Sequence, residues 1–273
     1  MTVTLGGPLL LVGAGKMGGA LLAGWLRRGL DPTLVYVQDP TPAPEVAGLM
    51  ASHGIRVRHK TKLPTAPAVM VIAVKPQIMD EVLPALGSSV GPSTVILSIA
   101  AGRTLANLAS HLPPGTSIVR AMPNTPAAIG QGMTVACASR EVTRHQALLC
   151  NMLLEAVGEV IWLDDETLMD AVTAVSGSGP AYVFLLAECL TEAGIAEGLD
   201  PELAARLARE TIAGAGELLR RSDLSPTELR RNVTSSKGVT AVALEVLMGK
   251  GSLSDLLKRA VAAAAKRSRE LSS

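Results

Sequence analysis

The chain has 273 residues, and its 25 lysines and arginines almost balance its 24 aspartates and glutamates, which leaves a formal net charge of +1. Such a small net charge creates no broad field that would attract nucleic acid or an anionic membrane. Hydrophobic residues make up 48% and charged residues 18% of the chain, so intrinsic disorder is excluded because the apolar surface suffices to offset chain entropy.

The cysteines and the apolar segments indicate the compartment. Cys137, Cys150 and Cys189 are far apart and odd in number, which indicates neither a disulfide framework nor a metal-binding cluster and is typical of a reducing compartment. Lys16 interrupts the apolar stretch 9–25, and no segment reaches the roughly 20 uninterrupted apolar residues that a membrane helix requires. We therefore expect a cytoplasmic protein with no metal site and no nucleic-acid or membrane partner.

The first half of the chain alternates short apolar runs with helical patterns. Runs of strand length occupy residues 9–12, 34–38, 55–57, 69–74, 95–99, 117–121, 134–138 and 159–163. Helical patterns occupy residues 17–28, 45–52 and 142–156. Strands that alternate with helices predict a doubly wound, mostly parallel sheet, and runs that are apolar on both faces fit strands covered by helices on both sides.

The pattern changes near residue 164, after which almost the whole chain is typical of helix. Helices are predicted over residues 168–175, 180–193, 201–221, from 225, 240–248 and 253–269. Asp200 before Pro201 is a typical start, with a capping side chain followed by a proline at the first helical position. The sequence therefore predicts an α/β domain over residues 1–163 and an all-α domain over residues 164–273.

A glycine-rich segment separates the first predicted strand from the first predicted helix. It consists of Gly13, Ala14, Gly15, Lys16, Met17 and Gly18. In this context G-x-G-x-x-G is the fingerprint of a Rossmann-like domain: the glycines permit a tight turn, a close approach of the pyrophosphate and close packing of helix on strand. The alternative is an ordinary turn in a chain with 26 glycines. We favour dinucleotide binding because the flanking elements are the ones that the motif requires.

The preference between NAD and NADP stays open. Asp39 lies 21 residues after Gly18, at the end of the second predicted strand, where an acid normally accepts the ribose 2′-hydroxyl and favours NAD. The basic residues Arg56, Arg58, His59 and Lys60 follow soon after, and beside the ribose they would favour the 2′-phosphate of NADP. Asp39 is equally well explained as a surface turn residue before Pro40.

Further small or polar residues follow other predicted strands. They are Ala73, Val74, Lys75 and Pro76 after one strand, Ile99, Ala100 and Ala101 after the next, and residues 122–126 after a third. In a parallel sheet these ends lie at one edge, which is where ligands bind in this architecture. Taken singly, each segment is equally typical of a tight turn, and Lys75 of a solvated side chain.

Two helix starts in the second half carry hydroxyl groups. Residues 176–180 and 232–240 combine serine, threonine and glycine directly before predicted helices, and such starts either bind a carboxylate or simply cap the helix. The chain contains no H-E-x-x-H, G-x-S-x-G or P-loop motif. Reduction of a C=N bond by hydride transfer is compatible with this set, since it needs orientation and one proton donor.

A resemblance to one enzyme family covers nearly the whole chain. It is carried by GAGKMGGAL near the start, AVKP at 73–76, SIAAG at 98–102, RAMPNTP at 120–126, DAVTAVSGSGPAY at 170–182 and NVTSSKGVT at 232–240. In these segments the chain resembles the pyrroline-5-carboxylate reductases, which reduce 1-pyrroline-5-carboxylate to L-proline with NADPH or NADH in proline biosynthesis.

The resemblance also implies roles for particular residues. The pyrophosphate would lie on residues 13–18, and residues 73–76, residues 99–101 and Asn232 would contact the cofactor. The substrate would contact Glu166, Ser235, Gly238, Val239 and Thr240. The Thr240 hydroxyl would face the ring nitrogen as proton donor. The family's helical domains form homodimers that commonly assemble further, and the active site combines one subunit's cofactor domain with its partner's helices.

The chain departs from the family pattern in the predicted substrate loop and at two positions that affect cofactor preference. Ser236, Lys237 and Gly238 stand where the family usually has Pro or Lys followed by two glycines, so Lys237 either alters the loop or lies near the substrate carboxylate. Asp39 and Lys60 also depart, in directions that favour NAD and NADP respectively.

Two rival functions are considered. A related imine reductase or hydroxyacid dehydrogenase usually carries a catalytic lysine on the first long helix of its second domain, and residues 180–193 contain none. A non-catalytic nucleotide-binding oligomer is the other alternative; it would need no hydroxyl-bearing pocket.

Overall fold

A computed structural model describes residues 5–55, 57–58 and 63–272. Eight strands lie within these residues. They are β1 (Leu9–Val12), β2 (Val35–Gln38), β3 (Val57–Arg58), β4 (Val69–Ile72), β5 (Val95–Ser98), β6 (Ser117–Met122), β7 (Gly132–Ala138) and β8 (Gly158–Trp162). Each of the eight runs predicted to form strands is thus confirmed, with ends that differ by a few residues.

All eight strands form one sheet in the order β3-β2-β1-β4-β5-β6-β7-β8. Neighbouring strands are parallel except β6 and β7, where Arg120 lies opposite Cys137 in an antiparallel pair. Strand β1 pairs with β2 on one side and β4 on the other, so the chain reverses its direction of winding there. This is the switch point of a doubly wound sheet, and the predicted Rossmann-like fold is confirmed.

Eleven α-helices accompany the sheet in the described residues. They are α1 (Lys16–Arg27), α2 (Pro44–Ser52), α3 (Met79–Leu86), α4 (Leu105–Ser110), α5 (Arg144–Glu155), α6 (Met169–Val172), α7 (Gly179–Ala196), α8 (Pro201–Arg221), α9 (Pro226–Asn232), α10 (Val239–Met248) and α11 (Leu253–Ser272). In the all-helical half, α8 begins as predicted, because the Asp200 side chain accepts from the amides of Glu202 and Leu203.

The segment predicted as one helix over residues 168–175 is less regular than expected. A 3-10 turn over Glu166–Leu168 leads into α6, and a π-helical turn follows over Thr173–Gly177. β-Branched side chains at 172, 173 and 175 weaken the preference for an α-helix, and apolar spacing alone does not separate α from π turns.

The core lies on both faces of the sheet. Alternate residues of β1 enter different clusters: Leu9 and Leu11 pack with Trp25 on one face, whereas Leu10 and Val12 pack against α3 and neighbouring elements on the other. The buried Trp25 indole donates from Nε1 to the carbonyl oxygen of Leu153 at 2.8 Å, which satisfies its one polar group.

The chain divides into two compact units. The sheet unit comprises Met1–Gly177 and Ala265–Ser273, and the helical unit comprises Ser178–Ala264. The domain boundary predicted near residue 163 stays a prediction. Among the described residues, no helix combines the length and the apolar character that crossing a bilayer demands.

The end of α11 packs within the sheet unit. The Ser268 hydroxyl donates to Asp170 Oδ1 at 2.5 Å, and a methyl group placed on Gly102 would lie 3.1 Å from Leu271 Cβ. The loop after β5 therefore has a neighbour from a distant part of the sequence.

Candidate active site

The glycine-rich turn joins β1 to α1 at the switch point. Gly13 has a φ of +96°, and a Cβ added there would lie 2.7 Å from the carbonyl carbon and oxygen of Ala73. The Gly13 amide donates to the carbonyl of Gln38 at 2.9 Å. Only glycine combines this backbone conformation with this close approach, so the turn after β1 and the end of β4 lie directly against each other.

The other two glycines of the motif have different surroundings. A Cβ on Gly18 would overlap the Gly13 carbonyl oxygen, whereas one on Gly15 would have no atom within 4 Å. Gly15 is also the N-cap of α1 and offers no side-chain acceptor to the first amides of the helix. Open space beside uncapped helical amides is a good fit for a dinucleotide pyrophosphate.

Asp39 contacts this turn directly. Its Oδ2 accepts from the Ala14 amide at 2.5 Å, and its Oδ1 accepts from the Thr41 amide at 2.7 Å. The carboxylate therefore holds the glycine-rich turn in place, whichever ribose it faces. Its predicted contact with a ribose hydroxyl stays a prediction. Arg56, His59 and Lys60, and the side chain of Arg58, lie outside the described residues.

The predicted strand-end segments gather at the same edge of the sheet. The Ala73 amide donates to Val12 at 2.7 Å, and the Ile99 amide donates to Ile72 at 3.0 Å, so the ends of β1, β4 and β5 lie side by side. Ile99 and Ala100 are buried, whereas Lys75 is exposed. The structure thus brings residues 13–18, Asp39, residues 73–76 and residues 99–101 together.

Arg103 connects two of these segments and was missed from the sequence. Its guanidinium donates to the Pro76 carbonyl at 2.8 Å and to both Asp80 carboxylate oxygens at 2.8 and 3.1 Å. The loop after β5 is thereby tied to the turn after β4. An arginine directly after Gly102 was the available signal, but Pro76 and Asp80 are more than 20 residues away, although Asn107 is a nearer partner.

Asn124 connects the loop after β6 to the π-helical turn. Its amide nitrogen donates to the Ser176 carbonyl at 3.2 Å, and its Oδ1 accepts from the Met133 amide at 2.9 Å. This side chain was also missed, although the loop that contains it was singled out.

Glu166 lies in a network with a buried arginine. Its Oε1 accepts from Arg120 Nη1 at 2.7 Å and from the Leu105 amide at 2.8 Å. Burial raises the pKa of the nearby Cys137 thiol to about 11; the Glu166 charge adds to the rise and the Arg120 charge opposes it. The predicted contact of Glu166 with substrate stays a prediction, and Oε1 already has two partners.

In the helical unit, the predicted substrate loop leads into α10. Lys237 has a φ of +58° and is the one non-glycine residue with a positive φ among those described. The Gly238 amide donates to the Ser235 carbonyl at 3.0 Å, and a Cβ on Gly238 would overlap the Ser235 hydroxyl. The loop therefore keeps a left-handed residue where the family usually has glycine.

The predicted ligands of this loop are accessible. Ser235, Val239 and Thr240 are exposed, and Gly238 caps α10 without supplying a side-chain acceptor for its first amides. Asn232 is the last residue of α9 and is exposed. A carboxylate can bind such a helix start without displacing a side chain.

Among residues 5–55, 57–58 and 63–272, no three His, Cys, Asp or Glu side chains lie close enough together to hold a metal ion. The sheet unit offers the backbone amides of the glycine-rich turn, and the helical unit offers the hydroxyl groups before α10.

A glycine-rich turn at the switch point of a doubly wound sheet is typical of the dinucleotide-binding domains of NAD(P)-dependent oxidoreductases. A family profile described as "NADP oxidoreductase coenzyme F420-dependent" matches residues 9–102, and one described as "Pyrroline-5-carboxylate reductase dimerisation" matches residues 166–271. A pyrroline-5-carboxylate reductase from Pseudomonas aeruginosa is 40% identical over 264 residues, which is 96% of each chain. The chain belongs to the pyrroline-5-carboxylate reductase family, and the predicted resemblance is confirmed.

Other relatives agree with this assignment. A pyrroline-5-carboxylate reductase from Synechocystis is 37% identical over 99% of both chains. The structure of one from Coxiella burnetii has 32% identity and a TM-score of 0.90, covering 98% of this chain and 99% of that one. A Plasmodium falciparum pyrroline carboxylate reductase with NADP bound has 29% identity and a TM-score of 0.85, covering all of both chains.

Proposed function

We propose that this chain reduces 1-pyrroline-5-carboxylate to L-proline with NADPH or NADH, as part of proline biosynthesis. The observation that carries the proposal is the cradle at Gly15, which is open beside uncapped helical amides in a chain of this family. The product differs from the substrate by one hydride on the ring carbon and one proton on the ring nitrogen.

Bound NAD(P)H supplies the hydride. Residues 13–18 would hold its pyrophosphate, with the uncapped amides at the start of α1 as donors, and small residues at 73–76 and 99–101 would permit close approach of the rest of the dinucleotide. Asp39 fixes the turn through the Ala14 amide. Asn232 is proposed as a further cofactor contact on the strength of the family resemblance.

The substrate carboxylate binds the start of α10. Ser235 offers a hydroxyl group and Val239 a backbone amide there, Gly238 leaves room for close approach, and the helix dipole favours a negative charge. The Thr240 hydroxyl donates a proton to the ring nitrogen as the C=N bond is reduced. Glu166 is proposed as a further substrate contact on the strength of the family resemblance.

The choice between the two cofactors remains part of the proposal. Asp39 favours NAD by its charge, but its Oδ2 already accepts a hydrogen bond from Ala14. A basic stretch that includes Lys60 favours NADP. A comparison of kcat/KM for NADH and NADPH decides between them, and Asp39→Ser is expected to shift the ratio toward NADPH.

The proposal also covers the oligomeric state of the protein and its location in the cell. The dimerisation profile over residues 166–271 supports a homodimer, and we propose that dimers assemble further. A cytoplasmic location is supported by three cysteines that are all free.

The direct test is loss of NAD(P)H absorbance when 1-pyrroline-5-carboxylate is added. No loss with either cofactor would contradict the proposal. Cofactor binding without turnover on any cyclic imine would favour a non-catalytic nucleotide-binding oligomer. Turnover on other imines or on hydroxyacids alone would favour a related dehydrogenase, although α7 contains no lysine.

The proton donor is tested by Thr240→Ala. Loss of a general acid lowers kcat by a factor of about 10² to 10⁴, and cofactor affinity should not change. Thr227→Ala is the matched control, since that threonine is exposed on α9 and outside the proposed site. Near-normal turnover of Thr240→Ala would remove Thr240 from the mechanism.

A further inference from the structure

Arg120 is a charged residue inside the sheet. It lies on β6 between β5 and β7, is 4% exposed, and faces Cys137 across the antiparallel pair. A buried guanidinium is strongly destabilising unless an anion pairs with it. Glu166 supplies that anion, with Oε1 at 2.7 Å from Nη1. The two residues are 46 positions apart, so the ion pair is part of the tertiary fold.

The same carboxylate oxygen makes a second contact. Glu166 Oε1 also accepts from the Leu105 amide, in the first turn of α4. Helix α4 directly follows the loop over residues 99–104, whose Arg103 is fixed to Pro76 and Asp80. Glu166 thereby links β6 to a loop that lines the proposed cofactor groove.

The other carboxylate oxygen is free of such contacts. Within the part of the chain that the structure describes, Oε2 of Glu166 has no hydrogen-bond partner. Arg120 and Leu105 therefore hold one oxygen and determine where the second one points.

We infer that Arg120 is a positioning residue. It fixes the orientation of the Glu166 carboxylate, the proposed substrate contact, and, through the Leu105 amide, holds the loop over residues 99–102 in the shape that binds the cofactor. The inference rests on the proposed function, because that function assigns substrate binding to Glu166 and cofactor binding to the loop. Arg120 thus acts on both proposed binding tasks through Glu166, in an ion pair whose arginine is buried and whose glutamate is partly exposed.

The experiment uses the full-length protein and three variants: Arg120→Met, Glu166→Gln and the double variant. NADPH affinity is measured by direct binding, and kcat and the KM for 1-pyrroline-5-carboxylate by steady-state assay, at a temperature where circular dichroism shows each variant folded. Arg140→Met is the matched control, because that arginine pairs with Glu141 in an exposed turn.

We expect Arg120→Met to raise both the NADPH dissociation constant and the substrate KM about ten-fold, with the control unchanged. The double variant should be no worse than Arg120→Met alone, since residues that act through one contact are not additive. Values within about two-fold of the wild type would overturn the inference and leave a purely structural ion pair. Additive losses in the double variant would also overturn it.

Arg120→Lys covers the case in which Arg120→Met does not fold. The lysine keeps the positive charge but lacks the planar, forked guanidinium. The NADPH dissociation constant and the substrate KM should therefore rise by a smaller factor than in Arg120→Met. Wild-type constants in this variant would contradict the inference. Direct NADPH binding separates the two proposals, because it can respond to Arg120 even if the wild type shows no turnover on the cyclic imine.

Discussion

The sheet unit and the helical unit bury their apolar residues very differently. Strands β1, β4 and β5 are completely buried, and each face of the sheet has its own cluster of aliphatic side chains. In the helical unit, Ala204 and Ala208 are the only buried residues between Ser178 and Ala264.

The difference teaches how each unit obtains its stability. Helix α7 is rich in apolar residues, with Glu188 and Glu192 as its charged positions, and helices of such composition are typical of protein interiors. Its large side chains are nevertheless exposed in the single chain, namely Val183, Phe184, Leu185, Leu186 and Leu190. A surface of this kind is an interface with other chains, which agrees with the dimerisation profile over these helices. The sheet unit has its own core, whereas the helical unit completes its core by assembly.

The largest effect should come from a charge on the assembly surface. Leu185→Glu is expected to dissociate the dimer, because each buried leucine contributes about 1.5–3 kcal/mol and a two-fold interface contains it twice. The dimer dissociation constant should rise about 10² to 10⁴-fold, measured by analytical ultracentrifugation.

Leu148→Glu is the matched control for that substitution. Leu148 lies on α5 of the sheet unit and is 56% exposed, against 57% for Leu185. We expect its dimer to be unchanged. An equal rise in the dimer dissociation constant of both variants would contradict the conclusion that the helical unit, and not the sheet unit, forms the interface.

A substitution that creates a cavity in the core of the sheet unit should have the next largest effect, on the free energy of unfolding. Trp25→Ala removes a fully buried ring and its bond to Leu153, and is expected to lower the free energy of unfolding by about 3–5 kcal/mol. Trp25→Phe should lower the free energy of unfolding by less, because it keeps most of the side-chain volume. Its remaining cost is the Leu153 carbonyl, which loses its bond to the indole. Urea unfolding of the sheet unit provides the measurement, and a loss below about 1 kcal/mol in Trp25→Ala would contradict a self-sufficient core.

The cysteines of the two units should differ in their reactivity toward a thiol reagent. Burial raises the pKa of Cys137 to about 11 and that of Cys150 to about 12, so both thiols are protonated near pH 8 and should resist a thiol reagent. Cys189 lies four residues after Leu185 on the same side of α7, and should react faster in Leu185→Glu than in the assembled wild type.

The raised pKa values of Cys137 and Cys150 predict that the folded state loses stability at alkaline pH. Their folded values exceed the unfolded value of 9.0, so the folded state retains protons that the unfolded state releases. The free energy of unfolding should therefore be intact below pH 9 and fall as the pH rises toward 11. A Cys137→Ala/Cys150→Ala variant should show a flatter profile; an identical profile would assign the alkaline loss to other groups.

The smallest effect should come from Lys237→Gly. A left-handed non-glycine residue costs about 1–2 kcal/mol, and the extra chain entropy of glycine offsets about 0.5–1 kcal/mol of the gain. The thermal midpoint should rise slightly, whereas Lys237→Ala should bring no such rise because the strain remains. A lower midpoint for Lys237→Gly would show that the lysine side chain stabilises the loop.

Local signals were sufficient for much of the fold. The apolar runs predicted all eight strands, and the glycine spacing predicted the turn at Gly13, because both depend on neighbouring residues. The reversal of direction between β6 and β7 was not predicted, since strand patterns do not encode direction.

The site was predictable only in part, for a related reason. The glycine-rich turn and the start of α10 depend on neighbouring residues, and both were predictable from local sequence. Asp39, Arg103 and Arg120 each have at least one partner from a segment far along the chain, and no periodicity in the sequence indicates such pairs. The role of Asp39 in holding Ala14 was therefore missed, although its place at the end of β2 was predicted.

The helical unit interrupts the sheet unit in the order of synthesis. The residues from Ala265 onward, which include Ser268 against Asp170 and Leu271 against Gly102, leave the ribosome only after every helix of the insert has been translated. Until then, the loop beside Gly102 lacks a neighbour that it has in the native protein. Translation therefore delivers this neighbour only after the helices that the dimerisation profile matches have been made.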